Sequence, residues 1–157
     1  MTSTVYLALR VPADPMRAFE AFTQEIALWW QPSGLFQVTS HGDGKLAFDG
    51  GVGGRLFTTV GDGHEFEIGR ILIWEPGKRL LFEWRQASFG SEHSTEVEVR
   101  FEAVGDETRI SIEHRAWDTI PQAHVARHGF PEQVTLQRAA DWWRASLHAL
   151  KVLLVTR

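Results

Sequence analysis

The sequence predicts an α+β fold in which a curved antiparallel sheet wraps around one long C-terminal helix. Two observations support this prediction. Apolar residues recur at helical spacing between Pro131 and Val155, and short segments of alternating polarity fill residues 35–117. No helical pattern interrupts those segments, so neighbouring strands are expected to pair antiparallel. A bulge signal in the middle of the sheet would supply the curvature.

The C-terminal helix is predicted from Pro131 to about Val155. Pro131 suits the first helical turn, where the N–H that proline lacks would have no partner, and Glu132 favours the positive end of the helix dipole. The apolar stripe that follows steps by three and four residues: Leu136, Ala139, Ala140, Trp143, Leu147, Leu150 and Leu154. At ~1.5 Å per residue this helix would be on the order of 37 Å long, so it needs a broad apolar partner. The strand-rich segment is the candidate large enough.

The N-terminal segment predicts one strand followed by two short helices. Residues Thr4–Val11 alternate in polarity as a strand does. Helices are predicted over 17–22 and 24–30, with Asp14 and Thr23 as their N-caps. Two short helices at this point in the chain are expected to close one end of the sheet.

The strands after these helices are short and separated by turns rich in glycine, aspartate and proline. They are predicted at residues 35–40, 45–48, 55–60, 65–74, 79–85, 95–103 and 108–117. Alternation assigns each side chain to a face. The inward face of the strand at 95–103 carries Val97, Val99 and Phe101. Its other face carries Glu96, Glu98, Arg100 and Glu102 and is expected to be solvated.

The strand at 65–74 changes phase partway along its length. Phe66 and Ile68 share one phase, whereas Ile71 and Ile73 share the other. The change falls at Gly69-Arg70, so a β-bulge is predicted there. A bulge bends a strand, and a bent sheet can wrap around a helix.

Composition limits the functional class. The 157 residues, 43% hydrophobic and 23% charged, are typical of a globular chain and are expected to form a single domain over residues 1–157. The absence of cysteine excludes disulfides, thiol catalysis and a cysteine metal site. A net charge of −4 without a basic run argues against nucleic acid. No apolar run approaches the ~18 residues of a membrane span, and no signal-peptide pattern begins the chain, which fits a cytoplasmic location.

Several motifs occur together in a recognisable order. They are AFEAFTQEIALWW at 18–30, GGRL at 53–56, GRILIWEPGKRLLFEW at 69–84, TRISIEHRAW at 108–117 and WWRASLHALKVLL at 142–154. In this order the chain resembles the START/SRPBCC superfamily, with the helix-grip fold of the birch-pollen-allergen type. Within it the chain is most similar to the branch named after the C-terminal domain of the Hsp90 ATPase activator. The eukaryotic co-chaperone has a further N-terminal domain for chaperone contact, so the resemblance does not imply ATPase activation here.

The resemblance implies a cavity between the concave face of the sheet and the long helix. The residues expected to line it are Trp30, Phe66, Phe82, Trp84, Val97, Val99, Ile112, His114, Trp143 and Leu147. Such a wall suits a small hydrophobic or aromatic ligand, for example a polyketide or a lipid-like metabolite. The alternative is that these side chains simply fill the core.

His114 is the candidate for chemistry within this set. Its unperturbed pKa of about 6.5 would suit a general acid or base, or its ring could hydrogen-bond a ligand carbonyl. The alternative is a buried structural histidine. No cofactor and no metal are expected, because His124 and His128 have i,i+4 spacing but no acidic residue nearby completes a metal site.

We interpret the chain as a binding protein rather than an enzyme, with three alternatives. These are a cyclase or hydrolase that uses His114, a protein that sequesters a reactive natural product in self-resistance, and a chaperone-interaction module. The expected partner is a small hydrophobic or aromatic molecule, and neither nucleic acid nor membrane insertion is expected. The chain would be a monomer or a homodimer, with an exposed Trp117 or Trp142 in the dimer interface.

Overall fold

The computed structural model describes residues 4–30, 45–49, 51–60, 64–84, 95–115 and 132–155. In chain order the elements are β1 (Thr4–Val11), α1 (Pro15–Gln24), α2 (Ile26–Trp29), β2 (Lys45–Asp49), β3 (Arg55–Val60), β4 (His64–Glu75), β5 (Arg79–Trp84), β6 (Thr95–Val104), β7 (Glu107–Arg115) and α3 (Glu132–Val155). The predicted succession of strand, two short helices, antiparallel strands and long helix is confirmed. The strand predicted at 35–40 lies outside the described residues, as do His124 and His128.

The described strands form one antiparallel sheet in the order β1-β7-β6-β5-β4-β3-β2. The first strand therefore pairs with the last, from Thr4 opposite Arg115 to Val11 opposite Thr108. Helix α3 packs along β1 and also contacts α1 and α2. A curved sheet that wraps one long helix is the helix-grip arrangement, as predicted.

The two short helices are capped differently from each other. Asp14 accepts a hydrogen bond from the backbone N–H of Arg17 at 2.8 Å, so its prediction as an N-cap is confirmed. The prediction that Thr23 caps the second helix is wrong, because Thr23 lies inside α1 and its hydroxyl donates to the carbonyl of Phe19 at 2.8 Å. Helix α2 begins only at Ile26 and spans a single turn with no side-chain cap.

The alternation of faces along β4 shifts twice, each time at an extra residue that has no partner on the neighbouring strand. The first extra residue, opposite β3, is Ile68, immediately before the predicted bulge at Gly69. The second extra residue, opposite β5, is Leu72. Because this second shift restores the original phase, Trp74 packs against the core. The prediction that Ile71 and Ile73 share a phase is therefore wrong, because the shift at Leu72 separates them.

Gly69 lies where two strands come unusually close together. A Cβ atom built on Gly69 would lie 1.7 Å from the backbone carbonyl oxygen of Glu83 on β5. No side chain can occupy that space, so glycine is required where the sheet bends.

The core lies between the concave face of the sheet and the helices. Five residues of the predicted stripe of α3 are buried, namely Ala139, Trp143, Leu147, Leu150 and Leu154, whereas Ala140 is half-buried against the core. Within the described ranges, no helix combines the length and apolarity that crossing a bilayer requires.

The convex face of the sheet carries a buried carboxylate. Glu98 is 3% exposed and accepts hydrogen bonds from Arg79 Nε (2.5 Å), Arg100 Nε (3.0 Å) and Arg115 (2.8 Å). Burial alone would raise the pKa of Glu98, but the bonds from Arg115, Arg100 and Arg79 lower it to about 2. The prediction of a solvated face is therefore wrong for Glu98, since guanidinium groups from three adjacent strands cover it. Glu102 is exposed, as predicted.

Candidate functional site

The residues predicted to line a cavity come together between the sheet and α3. Those with described side chains are all buried: Trp30, Phe82, Trp84, Val97, Val99, Ile112, His114, Trp143 and Leu147. Apart from His114, they belong to the main hydrophobic cluster of the protein. The side chain of Phe66 lies outside the described part of the chain.

Four tryptophans form the centre of this region, and we call them the tryptophan cluster. The ring of Trp84 on β5 stacks on Trp30, which directly follows α2, with 5.2 Å between centroids and 29° between planes. Trp142 and Trp143 of α3 lie 5.5 and 6.1 Å from Trp84. Each aromatic pair contributes about 0.5–1.5 kcal/mol beyond the area it buries. The cluster therefore holds α2, β5 and α3 together.

His114 lies beside the cluster in a chain of hydrogen bonds. The Nε1–H of Trp143 donates to Nδ1 of His114 at 3.0 Å. An indole N–H can only donate, so Nδ1 carries no proton and the neutral ring is protonated at Nε2. Nε2 donates to the hydroxyl of Thr95 at 2.7 Å, and that hydroxyl donates to the carbonyl of Trp84 at 3.3 Å.

This environment determines the protonation state of His114. Complete burial lowers the pKa of His114 from 6.5 to about 3, so the ring is neutral at physiological pH. A second proton would have to sit on Nδ1, directly facing the N–H of Trp143. Both ring nitrogens already bond protein groups, which favours a structural role. The predicted catalytic role of His114 stays a prediction.

Two residues of this region were missed or misassigned from the sequence. Trp142 was expected to be exposed in a dimer interface, which is wrong, because it is buried and meets Trp30 edge to face at 4.8 Å. Trp117 lies outside the described residues. Thr95 was missed, although it shares the inward parity of Val97.

A further polar atom lies buried on the inward face of α3. Ser146 is fully buried, and its hydroxyl has no hydrogen-bond partner among the described residues. It follows Trp142 and Trp143 by four and three positions, so it shares their helix face. Among all the residues that the structure describes, no three His, Asp or Glu side chains cluster as metal ligands would.

Comparison with known proteins gives a family match and many structural matches. The family model described as "Activator of Hsp90 ATPase homolog 1-like protein" matches residues 12–155. None of the curated proteins matches the chain significantly.

Three solved structures illustrate the structural similarity. A Mesorhizobium loti protein is 20% identical, with a TM-score of 0.68 over 98% of this chain and 97% of its own. The Aha1 dimer from Colwellia psychrerythraea is 17% identical, with a TM-score of 0.63 over 96% and 95%. An HSP90 activator from Plasmodium falciparum is 17% identical, with a TM-score of 0.64 over 97% and 96%. At sequence identities this low, the structural similarity establishes a shared fold and nothing more.

Proposed function

The chain belongs to the Activator of Hsp90 ATPase homolog 1-like family, and on that premise we propose that it binds a small apolar or aromatic molecule between the sheet and α3. The observation that carries this proposal is the tryptophan cluster, in which Trp30, Trp84, Trp142 and Trp143 meet beside His114. Aromatic walls with a few polar groups are typical of small-molecule sites. Indole faces stack well on planar apolar ligands.

The ligand would enter at the side of the cluster formed by Trp30 and Trp142. These two rings keep 7% and 9% of their surface exposed, whereas Trp84 and Trp143 are closed to solvent. Trp30 also directly follows the single turn of α2, which lacks a side-chain cap. Moving Trp30 aside therefore disturbs less structure than moving Trp84, which is paired within the sheet.

Ser146 would supply the polar contact that orients the ligand. Its buried hydroxyl is unpartnered among the described residues and lies on the helix face that carries Trp142 and Trp143. A buried hydroxyl without a partner is unfavourable, so a ligand carbonyl or hydroxyl that reaches it gains a hydrogen bond. The proposed ligand is accordingly a mostly apolar molecule with one polar group.

We place binding ahead of catalysis because of the bonding of His114. General acid–base catalysis is most effective when the pKa of the group lies near the working pH. Burial lowers the pKa of His114 to about 3, and its two nitrogens bond Trp143 and Thr95. A cyclase or hydrolase using His114 would have to break one of those bonds.

Native mass spectrometry of protein purified from its own host tests the proposal. We expect a bound mass that denaturing conditions release, and the same spectrum reports whether the protein is a monomer or a homodimer. A bare protein mass, together with no shift in Tm across a panel of aromatic and polyketide-like compounds, would overturn the proposal.

Two matched variants separate binding from folding. Ser146→Ala removes only the unpartnered hydroxyl, so we expect unchanged or slightly higher stability and a bound fraction several-fold lower. Thr23→Val removes a buried hydroxyl that bonds Phe19 in α1, away from the cluster. We expect this control to lose stability while its bound fraction stays the same.

A further inference from the structure

The convex face of the sheet, opposite α3, carries a polar pocket. Its volume is about 170 Å³, well above the ~10–15 Å³ that a single water needs. The lining residues are Tyr6, Glu98, Arg100, Glu102, Ser111 and Glu113. This site is independent of the tryptophan cluster, because the two lie on opposite faces of the sheet.

Strand register explains why a pocket forms here. Ser111 on β7 pairs with Ala8 on β1 and with Arg100 on β6. Ala8 and Ser111 are small and adjacent on one face, while the neighbouring pair Tyr6 and Glu113 is large. Two small residues between larger ones leave a depression whose floor is Ser111.

The floor of the pocket offers an unused hydrogen-bonding group. Ser111 is only 5% exposed, and its Oγ atom has no partner within the described ranges. A hydroxyl can donate one hydrogen bond and accept two. The buried hydroxyl therefore has its full hydrogen-bonding capacity available to a group that enters the pocket.

The charges around the opening favour a cation. The carboxylate of Glu98 is shared by Arg79, Arg100 and Arg115. Glu102 lies opposite Arg109 on β7 but forms no ion pair within the described ranges. Glu113 bonds Arg115 at 2.9 Å, but Arg115 also bonds Glu96 and Glu98. Among the residues that line the pocket, three carboxylates face one guanidinium, so the lining itself has an excess of negative charge.

We propose that this pocket binds the ammonium group of a primary alkylamine. A primary ammonium has three N–H donors, and the pocket presents three acceptors to match them: Ser111 Oγ and the carboxylates of Glu102 and Glu113. The Tyr6 hydroxyl, which accepts from Arg109 at 3.3 Å, stands at the rim. The amine is either a free small molecule or a lysine side chain of a partner protein.

Titration with propylammonium chloride, followed by NMR of the backbone amides, tests the proposal. Tetramethylammonium chloride at the same ionic strength is the matched control, since it carries the same charge without any N–H. We expect saturable shifts at Ala8, Arg100 and Ser111 with propylammonium only. Equal shifts with both salts would show that the shifts come from a general effect of cations and not from N–H donors, and would overturn the proposal.

Variants locate the binding group. Ser111→Ala and Glu113→Gln should each weaken propylammonium binding by about tenfold, and Glu75→Gln, an exposed change on β4, should leave it unchanged. Unaltered affinity in Ser111→Ala overturns the proposal. If Ser111→Ala does not fold, as judged by its thermal transition, Glu102→Gln takes its place with the same expected loss.

A second probe distinguishes the two sources of the amine. Nα-acetyl-lysine methylamide carries the same alkylammonium group on a blocked peptide unit. Tighter binding of this probe than of propylammonium identifies a partner's lysine side chain as the occupant. Tighter binding of propylammonium identifies a free amine.

Discussion

The indole Nε1 of Trp143 donates a hydrogen bond to Nδ1 of His114 over 3.0 Å, and this bond joins α3 to β7. It is a directional contact in an otherwise apolar interface, since the residues around it are almost all hydrophobic. Apolar packing tolerates small rotations of a helix, whereas a buried hydrogen bond does not. The pair therefore fixes the orientation of α3 against the sheet.

Thr95 is the second partner of His114, and its hydroxyl can be tested directly. Thr95→Val keeps the shape of the side chain but removes the hydroxyl to which Nε2–H of His114 donates, so we expect a loss of about 2 kcal/mol in the free energy of unfolding. Thr95→Ser keeps the hydroxyl and should lose under about 1 kcal/mol. Urea denaturation of both variants measures the difference. A smaller loss in Thr95→Val than in Thr95→Ser would show that the methyl group contributes more than the hydrogen bond.

The pH dependence of stability should depend on His114. Its pKa is lowered by burial to about 3 in the folded protein, against 6.5 when unfolded, so the unfolded state binds the proton first. Stability is therefore complete above pH 6.5 and falls as the pH drops from 6.5 toward 3. Over the upper part of that range, to about pH 4.5, the expected loss is on the order of 2–3 kcal/mol.

His114→Gln isolates this contribution, because glutamine does not titrate. Its stability should change little between pH 7 and about pH 4.5, where wild-type stability falls. Parallel curves for the two proteins over this range would contradict the assigned protonation state of His114. The carboxylates that begin to titrate near pH 4.5 are the same in both proteins, so their contribution cancels in the comparison.

Glu98 should be the carboxylate whose loss is most damaging. Glu98→Gln removes a buried charge that bonds Arg79, Arg100 and Arg115, so we expect a loss of about 2 kcal/mol at pH 7. The pKa of Glu98 is lowered to about 2, so this contribution is present above pH 4.5 and disappears as the pH falls toward 2. Glu102→Gln, an exposed change on the same strand, should stay within about 0.5 kcal/mol of wild type.

Gly69 should tolerate no side chain at all. Gly69→Ala would place a Cβ 1.7 Å from the Glu83 carbonyl oxygen, which only backbone movement could relieve. We expect a loss of at least about 3 kcal/mol, or no folded protein. Gly51→Ala is the matched comparison: Gly51 has a φ of +91° but no heavy atom within 4 Å of the added Cβ. It should lose about 1 kcal/mol, measured by thermal unfolding.

Alternation along the chain was sufficient to predict most of the sheet. The bounds of β1 match those predicted, because burial of one face of the strand gives the sequence a clear alternation of apolar and polar residues. The second phase change in β4 left no such signal. Its extra residue, Leu72, stands between Ile71 and Ile73, so the run is apolar on both faces and hides the shift.

Contacts between distant segments could not be predicted in the same way. Alternation placed Glu98 on the convex face but could not show that Arg79 and Arg115 from the neighbouring strands would cover it. Trp143 and His114 were each predicted to face inward. Their hydrogen bond depends on how far α3 is rotated and shifted along the sheet, and no local pattern records that placement.

The pairing of β1 with β7 has a consequence for the protein during synthesis. Val11 pairs with Thr108, so among the described strands β1 leaves the ribosome without its partner until β7 has followed. On the order of 100 residues separate the two, which at ~5–20 residues per second is roughly 5–20 s. The side chains of Val5, Leu7 and Val11, which are buried in the folded protein, lack the cover of β7 during that interval. Slow translation of the middle of the chain would lengthen their exposure to aggregation and to chaperones.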